Sequence, residues 1–448
     1  MTKIDQEEML GKYKLVLGLE IHLHVNVSSK MFCNCSTEGI YSASPNSRVC
    51  PVCLGLPGAL PVPNKEAVEK THLLGLALNC KINTTSRFDR KNYFYPDLPK
   101  GYQISQYKQP LCEGGFVSLP NGGKVELERI HLEEDTAKSF HAGELTLIDF
   151  NKSGMALIEM VTKPSIYNVE DAVEYAKQIQ EIVRFLGVGD ADMEKGQLRV
   201  EPNISLRTEK MQEIGELPNY KVEVKNINSF RFLEKAIVSE IKRQKELLDL
   251  GKTPIQENRG FNESTGNTIS QRSKEEAHDY RYFPDPDIPP MSFDENYISN
   301  IKLLLRPLPL ETRNKIMQEF GATLQETSVI YQESLEDLIR DLKTHGIEFK
   351  SAIKLLVNNP NMRSKTSVEI AEYINKTDST RINDLPTLEE IVSKIMQENP
   401  EIVNQIQGGK TSAIEFLVGQ VMRNQRNRKC PVGAGNIKPQ FEFIKYSS

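Results

Sequence analysis

Between Leu15 and Val25 the odd positions are all apolar, whereas Gly18, Glu20, His22 and His24 fall on even ones. Successive side chains alternate across a strand, so Glu20, His22 and His24 share one face. A carboxylate beside imidazoles suits metal ligation or proton transfer better than plain solvation. Ala156-Leu157-Ile158-Glu159-Met160-Val161 sets one carboxylate in an apolar run. Burying it uncompensated costs several kcal/mol, so Glu159 needs a metal, a cation or a proton; a structural ion pair to Lys or Arg is the alternative. From Lys124 to Glu134, Val125 and Leu127 keep one phase and Ile130 and Leu132 the other, which predicts a bulge near Glu128 or Arg129. Beyond it His131 and Glu133 lie opposite the apolar pair, and Glu134 and Asp135 follow.

Two further strands continue the pattern. Leu198, Val200, Ile204 and Leu206 back Arg199, Glu201, Asn203 and Arg207; Val222 and Val224 back Lys221, Glu223 and Lys225. Together the five strands predict one antiparallel sheet with a charged face. Oxygen ligands of this kind suit magnesium, and the basic residues could neutralise a transferring phosphoryl group. The chain has no Gly-x-x-x-x-Gly-Lys-Ser/Thr loop and no Gly-x-Ser-x-Gly elbow. Asn121-Gly122-Gly123-Lys124 reads as a hairpin turn.

The elements that must hold this face are also legible. Apolar spacing predicts helices over Val169–Leu186 and Phe230–Leu250, closed by Gly187 and Gly251. Phe283 to Pro290 carries four prolines and can continue neither a helix nor a central strand. Beyond it helical spacing dominates: Ser334–Leu342, with Ser334 as N-cap, then Lys350–Asn358, Val368–Ile374, Leu388–Gln397 and Thr411–Arg423. Asn375 to Pro386 reads as a linker. The expected organisation is α+β: residues 1–294 on a mainly antiparallel sheet, followed by all-α parts over 295–375 and 376–448.

The formal charge of −5 excludes a general polycation, so any RNA contact must come from local patches such as Arg423, Arg426, Arg428 and Lys429. No apolar run reaches the length of a membrane span, and the charged start lacks a secretory core, so a cytoplasmic protein is expected. Four of the seven cysteines, Cys33, Cys35, Cys50 and Cys53, cluster within residues 33–53. Two close pairs flanking a loop can surround zinc tetrahedrally, leaving no open position, so this zinc would be structural. Cys80, Cys112 and Cys430 are isolated and read as packing residues.

Several motifs resemble the B-subunit family of aspartyl/glutamyl-tRNA amidotransferases. They are Gly18-Leu19-Glu20-Ile21-His22, Phe88 to Asp97 with Lys100 to Gln106, His131 to Asp135, Asp149 to Gly154 running into Glu159, Lys225 to Phe230, and Asp279 to Pro284. The resemblance implies a cradle with a glutamine synthetase-like fold and ATP-dependent phosphorylation of the side-chain carboxylate of Glu-tRNA(Gln) or Asp-tRNA(Asn). Ammonia from a separate amidase (A) subunit would then displace phosphate, in a heterotrimer completed by a small C subunit; neither DNA nor a membrane is implied. By motif position it makes Glu20, His22, Glu133, Glu134 and Glu159 the catalytic group, with Glu20, His22, Glu133 and Glu159 on magnesium. His131, Lys152, Arg199, Asn203, Lys225 and Asn226 become nucleotide or acyl contacts, and the cysteine pairs match the zinc reading. Lys152 stands where the family usually has arginine, and lysine cannot make the planar two-pronged contact. Two other readings compete: a zinc-stapled tRNA-binding subunit without catalysis, and a small-molecule amide ligase.

Overall fold

A computed structural model describes residues 3–273, 280–379, 385–407 and 414–427. Asp279, Thr411, Arg428, Lys429 and Cys430, and the middle of the expected linker, lie outside them. The chain forms two compact units, Met1–Leu310 and Glu311–Ser448.

The first unit is built on a sheet whose main strands are β1 (Lys14–His24), β2 (Lys124–Glu134), β3 (Ala156–Thr162), β4 (Leu198–Arg207), β5 (Val222–Lys225), β6 (Glu257–Asn262) and β7 (Asn267–Ser273). Their order is β7-β6-β5-β4-β1-β3-β2, extended past β2 by the short strands Cys112–Glu113 and Lys81–Ile82. Neighbours are antiparallel except β5 and β6, which run parallel, so the sheet is mixed and the fold α+β. The bulge on β2 falls where the phase change put it. Val161 pairs with Arg129 but Thr162 with Leu127, leaving Glu128 as the extra residue.

Leu15, Leu17, Leu19, Ile21 and Leu23 of β1 are sealed from solvent. Each gains about 1.5–3 kcal/mol by burial, which fixes which face of the strand turns inward and leaves Glu20 and His22 on the other. The apolar face is covered by α2 (Val169–Phe185) and α3 (Phe230–Asp249). Asn168 caps α2 by accepting from the Asp171 amide, and Ser229 caps α3 by accepting from Phe232. A smaller sheet, Phe283–Pro284, Asp89–Asn92 and Tyr102–Ser105, carries part of the Phe88–Asp97 motif.

An earlier helix, α1 (Lys65–Ala77), packs in the same unit against α4 (Glu295–Lys302). His72 of α1 is buried, its Nδ1 2.9 Å from the Tyr297 hydroxyl and its ring 4.5 Å from that of Phe293. Burial pushes its pKa from 6.5 down to about 4. The unfolded chain therefore binds the extra proton first. Stability present above pH 6.5 should be lost as pH falls toward 4, by up to about 3 kcal/mol. His72→Phe should flatten that part of the pH profile of thermal unfolding; an unchanged slope would contradict the assignment.

The second unit is helical, with one buried apolar cluster from Ile316 to Ile374 and a separate one from Val392 to Val421. One expected cap fails. Ser334 takes a left-handed backbone (φ 52°), its amide donates to Tyr331, and the next helix starts at Glu336 with Leu335 at its cap position. The serine closes the preceding turn instead of opening the following helix.

Candidate active site and thiolate cluster

Strand register assembles the charged face. Arg199 of β4 lies opposite His22, His22 opposite Glu159, and Glu159 opposite His131, giving one row across four adjacent strands. In the next row Glu201 pairs with Glu20; on the other side His24 and Glu133 flank Leu157.

Glu159 is the centre. Its Oε2 lies 3.4 Å from His22 Nε2 and 3.5 Å from His131 Nε2. His22 Nε2 also lies 3.5 Å from Glu20 and 3.8 Å from Glu133. Glu20, His22 and Glu159 offer three ligand atoms within 4.8 Å of one another, and so do His131, Glu133 and Glu159. This donor set fits a hard divalent cation with open positions for water or phosphate. The Nδ1 atoms of His22 and His131 are buried without a hydrogen-bond partner among the described residues.

Charge crowding is visible in the titration of the face. Burial and the charge of Glu159 push Glu20 up to about 7. Burial would lower His22, but the hydrogen bond and charge of Glu159 lift it to about 9. Glu159 itself is held well below the carboxylate range, since His131 and His22 outweigh its burial. Mutual perturbation of this kind, in a charged cluster on one sheet face, makes these residues the candidate site.

At one edge Lys225 Nζ lies 2.9 Å from both Glu201 and Glu223. Burial opposes the charge on Glu201, but Lys225 and His22 hold it down to about 2. Asn203 pairs with Glu223 and Gly18, and its Oδ1 has no hydrogen-bond partner among the described residues. A cavity of about 490 Å³ adjoins this edge, lined by Arg199, Glu201, Lys225, Asn226 and Phe261. Asn226 turns into it with a left-handed backbone (φ 63°).

Not every expected residue joins the cluster. Glu134 points to the opposite side of β2, pairs with Lys100 at 2.7 Å and accepts from the Ile104 amide at 2.9 Å. Alternation assigns Glu133, not Glu134, to the face. His24 donates to Asp135 (2.7 Å) and accepts from the Tyr41 hydroxyl (2.6 Å), and Arg199 also reaches Asp135 at 3.1 Å. Lys152, in the short 3-10 turn Phe150–Lys152, sits 4.8 Å over the Tyr41 ring. A residue that strand patterns missed is Lys91. Burial opposes its charge, but Glu133 and Glu159 outweigh it and hold the ammonium above the usual lysine range. It belongs to the smaller sheet, so only the density of its motif singled it out.

Cys33, Cys35, Cys50 and Cys53 place their sulfurs within 4.8 Å of one another. The Cys50 and Cys53 sulfurs are 3.9 Å apart, close to the ~3.8 Å edge of a tetrahedron with zinc–sulfur bonds of about 2.3 Å. Hydrogen bonds from Cys33 and the Cys50 amide, with the Lys30 charge nearby, hold Cys53 down to about 4. These residues fit zinc and leave it no open position.

Residues 15–299 match the family described as the GatB/GatE catalytic domain, and residues 306–434 match the GatB domain. The chain belongs to the family of aspartyl/glutamyl-tRNA(Asn/Gln) amidotransferase B subunits. It is 40% identical to the family member of Thermodesulfovibrio yellowstonii, covering 94% of this chain and 97% of that one. Identity to those of Persephonella marina and Carboxydothermus hydrogenoformans is 38%, over 94% and 96% of this chain and 97% and 98% of theirs. The chain is thus one component of a ligase-type enzyme that amidates misacylated tRNA. Among the described residues no helix is long and apolar enough to cross a membrane.

Proposed function

We propose that the charged face of the sheet phosphorylates the side-chain carboxylate of Glu-tRNA(Gln) or Asp-tRNA(Asn) with ATP, after which ammonia converts the acyl phosphate to the amide. The observation that carries this reading is Glu159, buried between His22 and His131 with Glu20 and Glu133 in reach. Magnesium held by Glu20, His22, Glu133 and Glu159 would supply charge neutralisation for the phosphate oxygens.

The remaining residues divide the work. The cavity beside Arg199, Lys225 and Asn226 suits the nucleotide, and Asn203, further along β4 opposite Glu223, is a second candidate contact. A carboxylate oxygen of the tRNA-borne side chain attacks the γ-phosphorus and ADP leaves. Arg199, Lys152 and His131 offset the negative charge gathered there. Ammonia then adds to the acyl carbon, phosphate departs with the bonding electrons, and the nitrogen gives up a proton to a basic group such as Glu20. This is the chemistry of a glutamine synthetase-like cradle, which we infer for residues 1–294, with residues 295–375 and 376–448 as helical and tRNA-contacting tail domains. Glutamine hydrolysis belongs to an amidase partner, joined by a small third subunit in the cytoplasm. Zinc at the four cysteines is structural.

With the assembled enzyme, ammonium salts should replace glutamine as nitrogen donor while ATP and magnesium stay indispensable for making Gln-tRNA or Asn-tRNA. Amide formation without ATP would overturn the proposal.

A further inference from the structure

The loop between the two cysteine pairs has no regular strand or helix, yet it is tied closely to the turn that carries Lys152. Asn46 donates from its amide to Asp149 Oδ1 (2.9 Å) and from Nδ2 to the Ile148 carbonyl (3.1 Å), and accepts from the Phe150 amide (2.7 Å). Asn151, buried, answers from the other side: its Oδ1 accepts from the Arg48 amide and its Nδ2 donates to the Ser44 carbonyl, both at 2.8 Å. Ser153 Oγ donates to the Cys53 carbonyl at 3.2 Å.

Lys30 makes the link to the sulfurs themselves. It is fully buried, and its ammonium donates to Cys53 Sγ (3.5 Å) and to the Phe150 carbonyl (3.4 Å). A buried lysine needs a compensating anion. Four thiolates on a divalent ion carry a net double negative charge, and Lys30 offsets part of it while touching the Lys152 turn. Gly154 ends that turn at φ 83°, where a Cβ would come 3.3 Å from Cys53 Cβ and 3.7 Å from Lys30 Cδ. The turn and the cysteine loop are in direct contact there.

From these contacts we propose that the four-cysteine loop is a positioning device for Lys152, with Asn151 and Asn46 as positioning residues. Metal binding fixes the ends of the loop, the loop fixes Asp149 to Ser153, and that turn holds the Lys152 ammonium over Tyr41. Tyr41 comes from the same loop and reaches the sheet through His24, Asp135 and Arg199. The loop thus places both the cation and the ring it rests on. Lys152 forms no close ion pair among the described residues; Asp135 and Asp149 favour its charge only at longer range, so the ammonium can still meet an anionic group on the face. The step from position to catalysis rests on the reading given under Proposed function.

The test uses the assembled enzyme with Asn151→Asp and Asn46→Gly. The first keeps shape but sets a carboxylate against the Ser44 carbonyl; the second keeps the left-handed backbone of Asn46 (φ 58°) and removes its side-chain bonds. Lys152 is labelled with an amine-acylating reagent and its peptide quantified by mass spectrometry. Both variants should retain one zinc per chain yet label Lys152 at least fivefold faster than wild type, with KM for misacylated tRNA raised about tenfold and kcat changed less. Chelator-treated wild type should label as fast, and chelation should add little to Asn151→Asp. Wild-type labelling rates in both variants, or chelation and Asn151→Asp acting additively, would overturn the linkage. Lys152→Ala separates the two layers: unaltered tRNA kinetics in it would overturn the role of Lys152 in the reaction, whereas slow labelling in the asparagine variants beside an impaired Lys152→Ala would overturn the linkage alone.

Discussion

Glu159→Gln should lower the amidation rate of the assembled enzyme at least a thousandfold, about 4 kcal/mol of transition-state stabilisation. The amide has the shape of the carboxylate, so the backbone ladder to His22 and His131 is undisturbed. What is lost is the negative charge on which both candidate cation sites, Glu20-His22-Glu159 and His131-Glu133-Glu159, depend. His22 and His131 lose the carboxylate that both of them face. Thermal unfolding and tRNA binding separate chemistry from folding: both should stay near wild type while turnover collapses. A variant that keeps activity within tenfold would favour a subunit that only presents tRNA to a catalyst elsewhere.

The second large effect is at the thiolates. Cys50→Ser should leave far less than one zinc per chain and lower the stability of the first unit by at least about 3 kcal/mol. Serine is no substitute for a thiolate on zinc, and three sulfurs cannot complete the tetrahedron. The loss reaches beyond the loop, because among the described residues Lys30 has only Cys53 and the Phe150 carbonyl as polar partners of its ammonium, which would remain buried beside a collapsed cluster. Metal analysis and calorimetry together decide this. Full zinc content, or an unchanged unfolding temperature with zinc absent, would contradict a structural zinc.

Strand alternation told which side chains share a face, because the period of two is a local property. Glu20 with His22, the isolated Glu159, and Arg199 with Glu201 were legible for that reason, as was the bulge at Glu128. Alternation does not tell which strands are neighbours or how far each is slid along the next. The row Arg199–His22–Glu159–His131 is a product of register and emerges only in the fold. The same gap explains Lys91, whose strand belongs to another sheet yet whose ammonium is stabilised by the charges of Glu133 and Glu159. Glu134 was a near miss of a different kind: at a strand end, consecutive carboxylates look alike until the alternation is followed to its last residue. The parallel pairing of β5 with β6 left no local trace, since Val222 and Val224 alternate as an antiparallel strand would. Ser334 had the residue type of an N-cap, but the backbone used it to close the helix before.

In the proposed reaction this face spends ATP on a carboxylate carried by tRNA. Phosphate release by the assembled enzyme, measured with Glu-tRNA(Gln), with Asp-tRNA(Asn), with uncharged tRNA and with none, tests it most directly. The expected result is one phosphate per amide formed with a misacylated substrate and near-background release otherwise. Equal release in the absence of misacylated tRNA would contradict it.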